Sequence, residues 1–182
     1  MRRHHVITCM GLCLVLFACH EAPQQPKIKG KVQLDLTAYG KPFSLMVPDT
    51  TKTRFTINEQ VSGALEVRVG DFFGIVINEQ ACDLELKRND VVGDEVNKLK
   101  TFKESEKNEL VWESELAGRQ ELHFMINKTV GTATYCFEDL RTEEGLAFTP
   151  EQTQKMYTCC HEVAVPSTKL PWYMCTWRGQ LC

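Results

Sequence analysis

From Lys31 onward, apolar and polar residues alternate in short runs, the period of strands with one buried and one wet face. Val32, Leu34 and Leu36 alternate with Gln33 and Asp35. Phe43, Leu45 and Val47 repeat the pattern before Pro48-Asp49 marks a turn. Phe55 and Ile57 give a short third strand. Leu65, Val67 and Val69 alternate with Glu66 and Arg68, and Phe73, Ile75 and Ile77 continue on a return strand. Gly70-Asp71 between them fits a two-residue hairpin turn with glycine first, as a type II′ turn requires. Ile-Asn-Glu-Gln occurs at 57–60 and again at 77–80, a match too short to establish duplication.

The period then lengthens. Leu84, Val91, Val92, Val96 and Leu99 fall on one face at helical spacing, with Asp83 placed to cap the start. This predicts a helix over Asp83 to Leu99, weakened at Gly93 by roughly 1 kcal/mol relative to alanine. The opening Asp83-Leu84-Glu85-Leu86 also fits the extension of a strand. The mixed charges of Lys100 to Glu109 read as the solvated faces of strands and a turn. Three strands follow at Glu109 to Ser114, Glu121 to Asn127 and Thr134 to Glu138. The breaks near Lys107-Asn108, Ala117-Gly118 and Val130-Gly131 suit an antiparallel meander. Thr149-Pro150-Glu151-Gln152 is a capping box with proline at the first helical position. The helix it opens should run to about Val163, with Met156, one of Cys159 and Cys160, and Val163 on one stripe, before Pro166 stops it.

These elements predict an α+β domain over residues 31–165. Its antiparallel sheet or meander is covered by a mid-chain helix and a C-terminal helix. The order of elements resembles the PsbP-type fold, an antiparallel sheet flanked by helices in proteins that assist membrane assemblies. That resemblance rests on element order alone and implies no site residue.

The first residues set the compartment. Arg2 and Arg3 precede an apolar run from Val6 to Ala18, shorter than the ~20 residues a membrane-spanning helix needs. This is the layout of a secretory signal peptide over residues 1–18. Leu16-Phe17-Ala18-Cys19 resembles the lipobox of bacterial lipoproteins, with Phe17 standing where a small residue is usual. The resemblance implies that Cys19 becomes the lipidated amino terminus. The other reading is a plainly secreted chain, for which the cleavage positions are poor: His20 or Leu16 would stand where a small residue is wanted. Arg2-Arg3 is a weak twin-arginine signal, because His4 and His5 replace the apolar residues expected next. Residues 19–30, with Pro23, Gln24, Gln25 and Pro26, read as a tether that holds the domain off the bilayer.

Charge narrows the partners. Without Arg2 and Arg3 the 21 basic residues become 19 against 24 acidic, a balance of −5. A mildly acidic chain with no basic block argues against nucleic acid and offers no polybasic surface for anionic lipid. Attachment to the membrane would rest on the lipid anchor, at roughly 0.8 kcal/mol per buried methylene.

Candidate chemistry is sparse. Setting aside Cys9 and Cys13 in the signal and Cys19 at the anchor, six of the nine cysteines remain: Cys82, Cys136, Cys159, Cys160, Cys175 and Cys182. An oxidising compartment permits up to three disulfides among them. Cys159 and Cys160 are adjacent, so at most one is expected to face the core, as a small hydrophobe. Their spacing with His161, Cys175 and Cys182 lacks the close cysteine pairs of a zinc site, and no C-x-x-C is present. His123, between Leu122 and Phe124, must point to the opposite face of its strand, into solvent or under a helix. No nucleophile elbow or phosphate loop accompanies it. Asn127-Lys128-Thr129 matches a glycosylation acceptor that a bacterial envelope protein would leave bare.

Residues 166–182 break from this composition, with Leu170, Trp172, Tyr173, Met174, Trp177 and Leu181 in a segment almost free of acidic residues. Three readings stand: a tail docked on the domain, a partner-binding tail, and an ending from a shifted reading frame. Cys175 and Cys182 are the candidate disulfide, worth roughly 2–3 kcal/mol in the chain-entropy picture. The sequence therefore leads to a membrane-anchored envelope lipoprotein without cofactor or metal. It is expected to act non-catalytically on a protein partner or as an assembly accessory, at the outer membrane facing periplasm or surface. A domain that binds a small ligand is the alternative.

Overall fold

The computed structural model describes residues 30–165. The expected signal peptide, Cys19, nearly all of the expected tether, and residues 166–182 with Trp172, Cys175 and Cys182 lie outside the described residues. The fold is α+β. Strands β1 (Lys31–Asp35) and β2 (Ser44–Pro48) form an antiparallel hairpin. The main sheet contains β3 (Phe55–Glu59), β4 (Leu65–Val69), β5 (Phe73–Asn78), β6 (Lys98–Ser105), β7 (Glu109–Leu116), β8 (Arg119–Val130) and β9 (Ala133–Asp139). Their order across the sheet is β3-β4-β5-β9-β8-β7-β6, and all neighbours are antiparallel. The mid-chain helix α1 is Leu84–Gly93 and the closing helix α2 is Pro150–His161.

Alternation decides which face is filled. Leu65, Val67 and Val69 pair across to Ile77, Ile75 and Phe73, so one side of the sheet is a continuous apolar surface. The β1–β2 hairpin and α2 cover it. Phe43 from the hairpin meets Tyr135 edge-on at 4.9 Å, while α2 adds Met156, Cys159 and Cys160. The chain after α2 returns to β2, where Ser44 and Ala164 exchange backbone hydrogen bonds of 2.9 and 3.0 Å. The capping box forms as the sequence requires. The Thr149 amide donates to Gln152 Oε1 at 2.9 Å, and the Gln152 amide donates to Thr149 Oγ1 at 3.3 Å.

Three local expectations are corrected. The β4–β5 loop has three residues, Gly70 to Phe72, since Val69 pairs with Phe73. A two-residue turn would have opposed Val69 to Phe72 and turned Phe73, Ile75 and Ile77 to the wrong face; core alternation overrides the turn signal. Second, the mid-chain helix stops at Gly93, which leaves Val96 exposed beyond it and places Leu99 in β6, while Val92, inside the helix beside buried Val91, turns outward. The Asp94 carboxylate takes the amides of Val96 and Asn97 at 2.9 and 2.8 Å, a local turn that competes with another helical turn. Third, both Cys159 and Cys160 are buried and free. Helix α2 is covered on two sides, so its buried stripe is wide enough for adjacent residues. Cys159 lies toward Lys31 of the hairpin and Cys160 toward Lys128 of β8.

Candidate functional site

The opposite face of the main sheet is built differently. Helix α1 crosses the β6–β7 end and buries only Leu84 and Val91, over Leu110, Trp112, Met125 and Cys136. Its N-terminal end is fixed by polar and covalent links. The Leu86 amide donates to the Asp83 carboxylate at 2.9 Å. Cys82 is disulfide-bonded to Cys136 of β9. Asn127 clamps the Cys82 backbone, accepting from its amide at 2.7 Å and donating to its carbonyl at 3.0 Å. The candidate glycosylation asparagine is thus a structural clamp.

Between α1 and the sheet lies a cleft of about 260 Å³ lined by Lys87, Val91, Asn97, Trp112, His123 and Arg141, among others. His123 is its centre. Period two puts it on the face opposite Leu122 and Phe124, as expected, and beneath α1 rather than in open solvent; it is 7% exposed. Its Nδ1 lies 2.9 Å from Asp139 Oδ2 and its Nε2 lies 3.2 Å from Glu121 Oε2. Ionised carboxylates only accept, so this pair of partners favours the protonated ring, in which both nitrogens donate. Burial opposes that charge, but the hydrogen bond and charge of Asp139, joined by those of Glu121, outweigh it and hold the pKa above its ordinary value. Arg141 Nη2 reaches the same Glu121 oxygen at 3.4 Å. With the ring protonated, two cations face two anions. The Trp112 ring stacks on His123 with centroids 5.3 Å apart, and Lys87 Nζ lies 5.4 Å from the Trp112 centroid.

Chemically, this arrangement can hold charge and respond to protons. A carboxylate stands against each ring nitrogen, so in this geometry neither nitrogen of His123 is open to a substrate proton. The two free thiols are no better placed: burial raises both pKa values, Cys160 strongly. For metals, Cys82 and Cys136 with Glu138 have the right elements, but their sulfurs are spent in the disulfide. Glu104, Glu106 and Glu109 cluster at the β6–β7 turn, where Glu109 also takes the Tyr157 hydroxyl at 3.2 Å and meets His161 Nε2 at 3.1 Å. Burial and these carboxylates push Tyr157 up to about 12. One buried acceptor in the cleft wall, Asn97 Oδ1, has no partner among the described residues.

The sequence singled out His123 but not its partners. Glu121, two residues earlier on the same strand face, was within reach of the alternation. Asp139, Arg141, Trp112 and Lys87 come from β9 and beyond, β7 and α1, and only strand register assembles them. Of the cysteines, the structure joins Cys82 to Cys136; the pair Cys175 and Cys182 falls outside the described residues. Among the described residues no helix is long and apolar enough to cross a membrane. In comparison with known proteins, no family model matches this chain, and no curated protein matches it.

Proposed function

We propose that this chain is a lipid-anchored protein of the bacterial cell envelope, attached through Cys19, whose domain acts non-catalytically by binding a protein partner. The observation that carries the partner reading is the outer surface of α1 and the turn after it. Leu86, Val92 and Val96 are 57%, 63% and 74% exposed there. Their chain neighbours Lys87, Val91 and Asn97 line the cleft, with Asp94 and Arg141. Apolar side chains with a polar rim are the composition of an interface. The engagement of both His123 nitrogens and the burial of both free thiols support a binding role over catalysis.

Photo-crosslinking in cells tests this reading. A crosslinker at Leu86 or Val92 should give a discrete adduct that the same group at the exposed Glu151 of α2 does not. Equal adducts from both faces, or none from α1, would contradict it. The anchor is tested separately: Cys19→Ala should move the protein from the detergent phase to the aqueous phase in a detergent partition. Wild type already in the aqueous phase would defeat the lipoprotein reading. The unpartnered Asn97 acceptor favours a second reading, a small polar ligand in the cleft. On that reading Asn97→Ala should abolish the ligand's thermal shift without lowering the melting temperature of the free protein.

A further inference from the structure

The main sheet ends in two edges of different character. Strand β6 is long and guarded. Lys98, Lys100, Lys103 and Glu104 lie along it, and its register against β7 shifts twice, between Leu99 and Thr101 and between Phe102 and Glu104. Lysines and bulges are the usual means of stopping a sheet from growing. Strand β3 has neither. Phe55-Thr56-Ile57-Asn58-Glu59 pairs with β4 in unbroken register, and its one charged residue is at the end. No described residue pairs with its outer side.

The backbone of β3 fixes what could pair there. The Arg54 carbonyl accepts from the Gly70 amide at 2.8 Å, and the Gln60 amide donates to the Ala64 carbonyl at 2.8 Å. Hydrogen-bonding direction alternates along an antiparallel strand, so residues 54, 56, 58 and 60 point toward β4. Phe55, Ile57 and Glu59 therefore direct three amides and three carbonyls outward. We propose that β3 is a homodimerisation edge, pairing antiparallel with β3 of a second copy of this chain about a two-fold axis at Ile57. In that register Ile57 faces the partner's Ile57, and Phe55 faces the partner's Glu59. Every outward-facing residue meets an outward-facing residue, and the six free groups on each edge are all used.

The side chains agree with the register. Phe55 and Ile57 pack at the margin of the core on one sheet face, so the seam there sets Ile57 against Ile57, flanked on either side by Phe55 against the partner's Glu59. On the other face Thr56 meets the partner's Asn58, a pair that can hydrogen-bond. The interface is isologous, so it closes at two copies and does not propagate, provided the β6 edge stays guarded. A five-residue seam is small, so the dimer forms in a concentration-dependent way, in the micromolar range or weaker.

The test uses the full-length chain in mild detergent, followed by sedimentation over about 1 μM to 1 mM. Wild type should pass from one to two copies. Ile57→Pro removes only an outward amide, which an edge strand tolerates. Thr56→Lys with Asn58→Lys places like charges opposite each other on an already wet face. Each should weaken the dimer about tenfold or more with the near-ultraviolet circular dichroism unchanged. Lys100→Pro on β6 should leave the dimer intact. The double variant Thr56→Cys with Asn58→Cys should oxidise to a covalent dimer that neither single variant gives, since this pair lies about 4.5 Å apart at Cα. A chain that stays single throughout, or a dimer indifferent to both β3 variants, would overturn the proposal. So would dimerisation that begins only when residues 166–182 are deleted, because the tail would then be the strand on this edge.

Discussion

The two faces of the main sheet are held by different physics. Beneath α2 and the β1–β2 hairpin the contacts are apolar and continuous, from Leu65 and Ile77 through Phe137 to Phe124. Beneath α1 they are few. Leu84 and Val91 are supplemented by a disulfide, an asparagine clamp and the Glu121–His123–Asp139–Arg141 charge cluster. Apolar burial is non-directional and scales with area, so the α2 face can carry the stability of the fold. A paired charge cluster contributes little net stability, but removing one partner from it is costly. The α2 face therefore folds the chain, whereas the α1 face depends on a few specific links.

The largest break of this contrast is on α2. Met156 is fully buried, and Met156→Asp should cost about 4 kcal/mol or more, enough to unfold a marginal domain. Gln154→Asp, on the exposed side, should change stability by under ~0.5 kcal/mol. Chemical denaturation of the two reads the difference, and equal shifts would mean that α2 does not bury this stripe.

On the α1 face, replacing Cys82 and Cys136 together by serine removes a crosslink spanning 54 positions, worth about 4 kcal/mol in the chain-entropy picture. The measured loss should be smaller, about 2–3 kcal/mol, because the Asn127 clamp still holds the Cys82 backbone. No loss on reduction would show that the clamp alone holds α1.

The charge cluster predicts a pH dependence. The folded pKa of His123 is raised, so its stabilising contribution is fully present below the unfolded imidazole value, about 6.5, and is lost as pH rises through the folded value. Wild-type melting temperature should fall over that window. His123→Gln should flatten the fall and cost about 3 kcal/mol at pH 6 by leaving Glu121 and Asp139 without their cation. A profile identical to wild type would show that the titrating group lies elsewhere.

The smallest effect is expected at the β7–β8 turn, where Ala117 is the one non-glycine residue with positive φ, 53°, among the described residues. Ala117→Gly should raise stability by up to ~1 kcal/mol by relieving the left-handed conformation. An unchanged melting temperature would show that the turn bears no strain.

Much of this contrast is legible in the sequence, and its limits have physical causes. Alternation located the strands other than β6, whose first residues fall within the helical spacing, and the capping box at Thr149 placed the start of α2, because both signals are local. Val96 misled because helical spacing took no account of the Asp94 turn, whose side chain ends the helix, and Val92 because it is one position, about 100°, round the helix from buried Val91. The β4–β5 turn misled because core parity outweighs turn chemistry. Alternation also gave the face of His123, but its partner Asp139 arrives through the register of β8 against β9, and the Cys82–Cys136 link through the path of α1. Neither has a signal in local spacing.

Native-state hydrogen exchange tests the central claim most directly, because it measures the two faces in one molecule. Buried amides of α2, such as those of Met156 and Cys160, should exchange only through global unfolding. Amides of α1 should open at lower free energy, with the gap widening on disulfide reduction and as pH rises through the His123 titration. Equal protection of α1 and α2 under all these conditions would contradict the division of the fold into a packed face and a tethered one.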